Sequence, residues 1–205
     1  MKKQALSADP FNLIITGVGG QGNVLASKLI GNMLVDKGYH VTIGETFGAS
    51  QRGGSVMSHL RISSESIMSP QIPRGKAHAV VALEPTEAIR MLQEYGNPEV
   101  KVISNTRPVY SLGVICGEAS YPGDADLHGW MQKLTRAYWF INATDEAVKL
   151  GNPILGNVLL VGALAGIGDL PLDRDGFREV MTRTMPPDKV EINLTAFDKG
   201  LAMIN

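Results

Sequence analysis

The chain has 205 residues, 44% hydrophobic and 19% charged, which is enough for one globular domain with a substantial core. A formal net charge of -1, with no basic cluster, excludes a protein that grips nucleic acid through its phosphates. The single cysteine, Cys116, excludes an intrachain disulfide framework and any all-cysteine iron–sulfur or zinc site within the chain, and fits a reducing, cytoplasmic setting.

Residues 1–11 read as a polar lead-in, because no apolar stretch of the kind a secretory signal needs follows Lys2 and Lys3. Leu13–Thr16 is continuously apolar rather than alternating, which predicts a strand buried on both faces in a parallel sheet. Residues 21–37 predict a helix, with Leu25, Leu29, Ile30, Met33 and Leu34 on one face and Gly38 as its stop. Val41–Gly44 predicts the next strand, so the opening reads as a βαβ unit. A polar loop with three glycines, residues 45–55, leads to an alternating strand over Val56–Ser63, expected to be antiparallel and half-exposed, with Ile67–Ile72 as a candidate partner.

Ala79–Leu83 is a further buried strand, and Pro85 suits the first turn of the helix that follows Glu84. Val100–Ser104, Gly113–Cys116 and Trp139–Ala143 are strand candidates, and Asp124–Ala137 is a helix candidate. Thr144 is expected to cap a short helix with two acids in its first turn. The remainder predicts helices over 154–167, 173–184 and 191–203, punctuated by Pro171, Pro186 and Pro187. The run 154–167 is broken by Gly156, Asn157, Gly162 and Gly166 and is too short for a bilayer, so it reads as a buried helix and no membrane partner is expected. No repeat or linker divides the chain, so residues 1–205 read as a single α/β domain. The expected architecture is a three-layer α/β/α sandwich with a mainly parallel, Rossmann-like sheet, a small antiparallel addition and a helical C-terminal part.

Gly17, Gly19 and Gly22 supply Gly-x-Gly-x-x-Gly between a strand and a helix. Glycine permits positive φ and close approach, and a helix N-terminus attracts anions, so Gly17-Val-Gly-Gly-Gln-Gly22 with Asn23 is a candidate phosphate cradle. Glu45, closing the second strand, stands near the place of a ribose-binding acid, and an NAD or FAD site is one reading. A tight turn without a ligand is the other. No Lys-Ser/Thr follows the loop, against a P-loop nucleotidase. Ser50, Gln51, Arg52, Gly53 and Gly54 form a second candidate site, in which the Arg52 fork suits carboxylate or phosphate; a solvated loop is its plain alternative. The loops at 17–23, 45–55 and 84–87 leave carboxyl ends of strands and are expected to share one rim, where ligands of such sheets bind.

Glu84 could take a ligand hydroxyl or amine, although capping the helix it precedes is the favoured reading. His59 reads as a structural hydrogen-bonder, and His40, His78 and His128 are too scattered to bind a metal together. Cys116 reads as a small buried hydrophobe, and Asn157 and Asn193 as local caps or buried hydrogen-bonders. No catalytic set for hydrolysis can be assembled.

The combination of Gly17-Val-Gly-Gly-Gln-Gly22 after a strand, Ser50-Gln-Arg-Gly-Gly54 with Ser58-His59 beyond it, Val80-Val-Ala-Leu-Glu84 and Gly162-Ala-Leu-Ala165 resembles the gamma subunit or domain of 2-oxoacid:ferredoxin oxidoreductases. The resemblance runs from about Asn12 to Ala196-Phe197, and the short free-standing form is most similar to the small (beta) subunit of the indolepyruvate branch. It implies a chain with no catalytic residues of its own, inactive alone, that joins a large alpha subunit carrying thiamine diphosphate, magnesium and iron–sulfur clusters, as two large and two small chains. A 2-oxo acid would be decarboxylated, coenzyme A would accept the acyl group at a site this chain helps to form, and ferredoxin would take the electrons. The implied contacts to coenzyme A are the two glycine loops and Glu84. Asn23 stands where the family commonly has an apolar residue, which implies an adjusted helix start. The resemblance demotes, without removing, an independent NAD(P)- or FAD-binding oxidoreductase and a purely structural assembly partner.

Overall fold

The computed structural model describes residues 5–47 and 54–204. Among these, six strands and eight α-helices follow one another as β1 (Phe11–Val18), α1 (Asn23–Asp36), β2 (His40–Phe47), β3 (Ser55–Ser63), β4 (Ala79–Ala82), α2 (Pro85–Tyr95), β5 (Lys101–Asn105), α3 (Leu112–Ile115), α4 (Asp124–Leu134), β6 (Ala137–Ile141), α5 (Ala143–Lys149), a 3-10 turn over Pro153–Leu155, α6 (Gly156–Ile167), α7 (Arg174–Thr184) and α8 (Pro187–Ala202).

The strands form one sheet in the order β2-β3-β1-β4-β5-β6. β1, β4, β5 and β6 are mutually parallel, while β3 runs antiparallel to both of its neighbours, β1 and β2. This is the expected mainly parallel sheet with an antiparallel addition. The apolar run of β1 divides between two cores as strand alternation requires. Leu13 and Ile15 join a large cluster with α1, α6, α7 and α8, and Ile14 joins a second cluster with α2 and α4 on the opposite face. Three layers result.

Four local expectations are corrected. β1 and β2 share a direction but do not pair, because β3 returns between them; the opening is therefore a βαβ unit split by an inserted strand, and His59 on β3 is buried rather than half-exposed. Ile67–Ile72 forms no strand; it crosses β3 as irregular chain, with Ile72 N–H donating to His59 Nδ1. Residues 113–116 lie mainly in the helical turn α3, which buries none of its residues, so Cys116 at its end is exposed. Asn142, not Thr144, precedes α5, and the Thr144 N–H is taken by Asn105 Oδ1 across the sheet edge.

The C-terminal helices pack closely. A Cβ on Gly162 would lie 2.1 Å from the Phe197 carbonyl oxygen, and one on Gly200 would lie 1.9 Å from that of Leu159. The α6 and α8 backbones can touch because both positions lack a side chain.

Candidate functional site

The carboxyl ends of β1, β4 and β5 share one edge of the sheet, since the three strands are parallel. The glycine loop stands there. Gly20 (φ 101°) and Gly22 (φ 89°) adopt the left-handed conformation that makes the turn into α1. Gly17 serves another purpose: the side chains of Gln21 and Asn23 fold back over it, so a Cβ would lie 2.7 Å from Gln21 Oε1 and 2.9 Å from Asn23 Oδ1. The Val18 N–H donates to Gln21 Oε1 (2.7 Å), and Gln21 Nε2 donates to the Leu83 carbonyl (3.0 Å). One amide thus ties the end of β1 to the end of β4 and fills the inner side of the loop. Gly19 N–H donates to Gly54 O (2.8 Å), and Asn23 Nδ2 donates to Val56 O (3.3 Å), fastening the loop to the start of β3.

The outer side of the loop is open. Apart from Gly20 and its chain neighbours, none of the described residues has an atom within 4 Å of where a Cβ on Gly20 would stand. The cap of α1 is Gly22, which has no side chain to accept from the first helical N–H groups. An anion can take that place. Gly17, Gly19, Gly20, Gln21, Gly22, Asn23 and Gly54 therefore come together as the sequence predicts. Ser50, Gln51, Arg52 and Gly53 lie outside the described residues.

Glu84 is fully buried. Its Oε2 accepts from the Glu87 N–H (3.0 Å) and the Thr86 hydroxyl (2.6 Å), capping α2. Its Oε1 accepts from the Tyr121 hydroxyl (2.5 Å) and the Val109 N–H (3.4 Å). Both oxygens are engaged by this chain, so the capping reading prevails and Glu84 anchors the segment that crosses from β5 to α4. Burial first, and then the hydrogen bond to Glu84 and its charge, push the Tyr121 phenol well above its ordinary range, so it stays protonated and keeps donating.

A cleft of about 310 Å³ opens beside the glycine loop. Its walls come from Gly20 and Gln21, from the chain after β5 at Asn105–Val109, and from the start of α6 with the turn before it. Asn105 Nδ2 donates to Leu83 O (3.2 Å) and the Thr144 hydroxyl (2.8 Å), and Asn152 Oδ1 accepts from the Ile154 N–H (3.1 Å). Arg107, 62% exposed at the lip, approaches Asp145 at 3.5 Å and remains accessible to an anion. Asn157 Nδ2 donates to Gly22 O (3.4 Å), and a Cβ on Gly22 would meet that nitrogen at 2.2 Å.

The sequence reading missed Arg107 and Asn105. The break that Asn157 makes in an apolar helix was a usable signal, but its partner lies 135 residues away. Among the described residues no three His, Cys, Asp or Glu side chains gather to hold a metal. Ser58 and His59 point to opposite faces of β3 and make no nucleophile–base pair. The site is equipped to bind and orient, and these residues offer no acid–base or nucleophilic set.

A family model described as pyruvate ferredoxin/flavodoxin oxidoreductase matches residues 12–203. The chain is 35% identical over 192 residues to the indolepyruvate oxidoreductase subunit IorB of Pyrococcus horikoshii, covering 93% of this chain and 94% of that one. Its fold is similar to the 2-oxoglutarate:ferredoxin oxidoreductase of Magnetococcus marinus, solved with 2-oxoglutarate, coenzyme A and succinyl-CoA bound (TM-score 0.75, 18% identity), over 97% of this chain and 31% of that one. It is also similar to the pyruvate oxidoreductase subunit PORC of Thermotoga maritima (TM-score 0.70, 20% identity), over 96% and 97% of the two chains.

Proposed function

The chain belongs to the pyruvate ferredoxin/flavodoxin oxidoreductase family, and from that premise we propose that it is the small subunit of a 2-oxoacid:ferredoxin oxidoreductase acting on aryl pyruvates such as indolepyruvate. The carrying observation is the 35% identity to an indolepyruvate oxidoreductase subunit along nearly the whole of both chains. In this reading a larger partner carries thiamine diphosphate, magnesium and the iron–sulfur clusters, two large and two small chains assemble, ferredoxin takes the electrons, and the complex works in the cytoplasm.

Coenzyme A would supply the thiol that receives the acyl group. The residues here fit part of such a molecule. The uncapped start of α1 suits phosphate, and a cleft of about 310 Å³ is at the small end of ligand pockets, so the remainder of the site belongs to the partner. Gly20 would give the phosphates room, Gly19 and Gly22 shape the loop against Gly54 and Asn157, Gln21 and Asn23 hold it in place, and Glu84 positions its far wall. By resemblance, residues 50–54, with Arg52, would supply the second set of contacts to coenzyme A.

An independent dinucleotide enzyme fits less well. Gln21 fills the inner side of the loop, and Glu45 lies on edge strand β2, separated from β1 by all of β3. Two strand spacings, about 10 Å, divide that acid from the strand a ribose would follow.

The test is coexpression with the large subunit. A complex should form, and aryl-pyruvate-dependent dye reduction should need both chains. Arg52→Ala should raise the apparent KM for coenzyme A or weaken assembly while leaving thiamine diphosphate binding intact. Activity of the large subunit without this chain would overturn the proposal.

A further inference from the structure

Residues 108–117, on the way from β5 to α4, are mainly apolar and include no charged side chain. A run of this composition ordinarily enters a core. Here no residue from 106 to 123 is buried, and Leu112 and Ile115 of α3 are 75% and 70% exposed. The segment is nevertheless fastened at both ends. Glu84 Oε1 accepts from the Val109 N–H on one side and the Tyr121 hydroxyl on the other, and the Tyr110 and Tyr121 rings meet edge to face at 5.2 Å. An apolar excursion is thus held at the carboxyl edge of the sheet with its side chains in water.

Its position indicates what covers it. Val109 and Ile154 both line the cleft. Val109, Tyr110, Leu112, Ile115, Val148 and Ile154 are six of the ten large hydrophobic side chains exposed among the described residues, and all six lie in the stretches 109–115 and 148–154 that supply those two walls. Clustering of this kind marks an interaction surface, which scattered single side chains do not. A stable protein interface takes on the order of 20 residues from each side. A chain that covers the excursion must therefore continue across the mouth of the cleft, where the remainder of the site is wanting. The lack of charge along 108–117 suits a permanent contact. In the Magnetococcus marinus structure the matching part is 31% of a longer chain, so there the fold is joined to further polypeptide, which a free-standing chain gains only by docking.

We propose that the excursion 108–117, with Val148 and Ile154, is the docking surface for the larger subunit that carries thiamine diphosphate. Leu112 and Ile115 are its anchors, and the docked subunit supplies the missing wall of the cleft. The inference rests on the function proposed above and adds the face by which this chain joins the complex.

Recovery of this chain on a tagged large subunit tests it. Leu112→Glu combined with Ile115→Glu should lower recovery about tenfold or more. Neither side chain is buried, so urea unfolding of the double variant should match that of the unaltered chain. Val35→Glu and Ile67→Glu are the controls. Val35 near the end of α1 and Ile67 beyond the end of β3 are also exposed, but stand at the opposite edge of the sheet, where β1 begins, and both variants should be recovered in full. Cys116, exposed at the end of α3, gives a reading without substitution: its alkylation, followed by mass analysis of its peptide, should be about tenfold slower in the complex than in this chain alone. If the double variant unfolds, Cys116 decides. Full recovery of a folded double variant would overturn the proposal, as would equal loss in all the variants or equal alkylation in both states. Concentration-dependent protection of Cys116 in this chain alone would assign the surface to a second copy, and would also overturn it. If the unaltered chain is recovered and the double variant with it, this inference alone falls. If the unaltered chain is not recovered, the proposed function falls too.

Discussion

Glycine does opposite work in two regions of this molecule. Where α6 crosses α8, Gly162 and Gly200 are pressed against carbonyl oxygens of the facing helix, and space is the constraint. At the rim, Gly20 faces open space with φ at 101°, and backbone conformation is the constraint. The helix crossing has been closed until nothing fits, whereas the rim at Gly20 has been shaped and kept open. That contrast separates residues that hold the fold from residues available to a ligand, without reference to any relative.

The sharpest way to break the comparison is to add one methyl group in each region. Gly200→Ala places a carbon where backbone already lies, 1.9 Å from Leu159 O, and no side chain can move aside. The helices must separate, so unfolding in urea should register a loss of about 3 kcal/mol or more, at the upper end of overpacking effects. Gly20→Ala should lose about 1–2 kcal/mol from left-handed strain alone. Similar losses at both positions would erase the distinction.

Gly17 lies between these extremes. Its neighbours are the flexible side chains of Gln21 and Asn23 and the Cβ of Leu83. Gly17→Ala should cost about 1–3 kcal/mol, because it displaces the Gln21 amide from Val18 and Leu83. The cost should shrink in a Gln21→Ala background, where the obstructing oxygen is gone. A double-mutant cycle checks this, and strictly additive losses would show that Gly17 serves the backbone rather than the folded-back side chains.

Much of this was legible locally. β1 and β4 announced themselves as apolar runs, because both faces of each are covered, and the glycine loop did so because positive φ favours one residue type. The insertion of β3 between β1 and β2 was not legible, since alternation reveals which face is buried but not which neighbour pairs. Residues 113–116 show the ambiguity of a short apolar run: Leu112 and Ile115 are 75% and 70% exposed on a turn that reaches no core. The cleft was least legible of all. Its polar residues come from segments that meet only after the sheet has formed, as the bond between Gly22 and Asn157 illustrates.

The smallest expected effect concerns two histidines on the core side of the comparison. Burial lowers the pKa of His59, opposed by the charge of Glu94, and lowers that of His78, opposed by Asp169 and reinforced by Lys76. In each ring Nδ1 accepts a backbone N–H, from Ile72 to His59 (3.1 Å) and from Asn12 to His78 (2.8 Å), so both bonds require that nitrogen to be unprotonated. A histidine whose pKa is lower folded than unfolded binds its proton more readily in the unfolded chain. Its contribution is therefore present above the unfolded value, near 6.5, and is lost as pH falls through the folded value. Stability measured by urea unfolding should decline from about pH 6.5 downward, before most carboxylates titrate. His59→Gln and His78→Gln, which remove the proton sites, should each flatten that decline, and the double variant should flatten it most. The rim offers no described histidine of this kind, so loop variants at Gly17 and Gly20 should leave the slope between pH 5 and 6.5 unchanged; a slope that follows the loop variants instead would place the acid-sensitive contacts at the ligand edge.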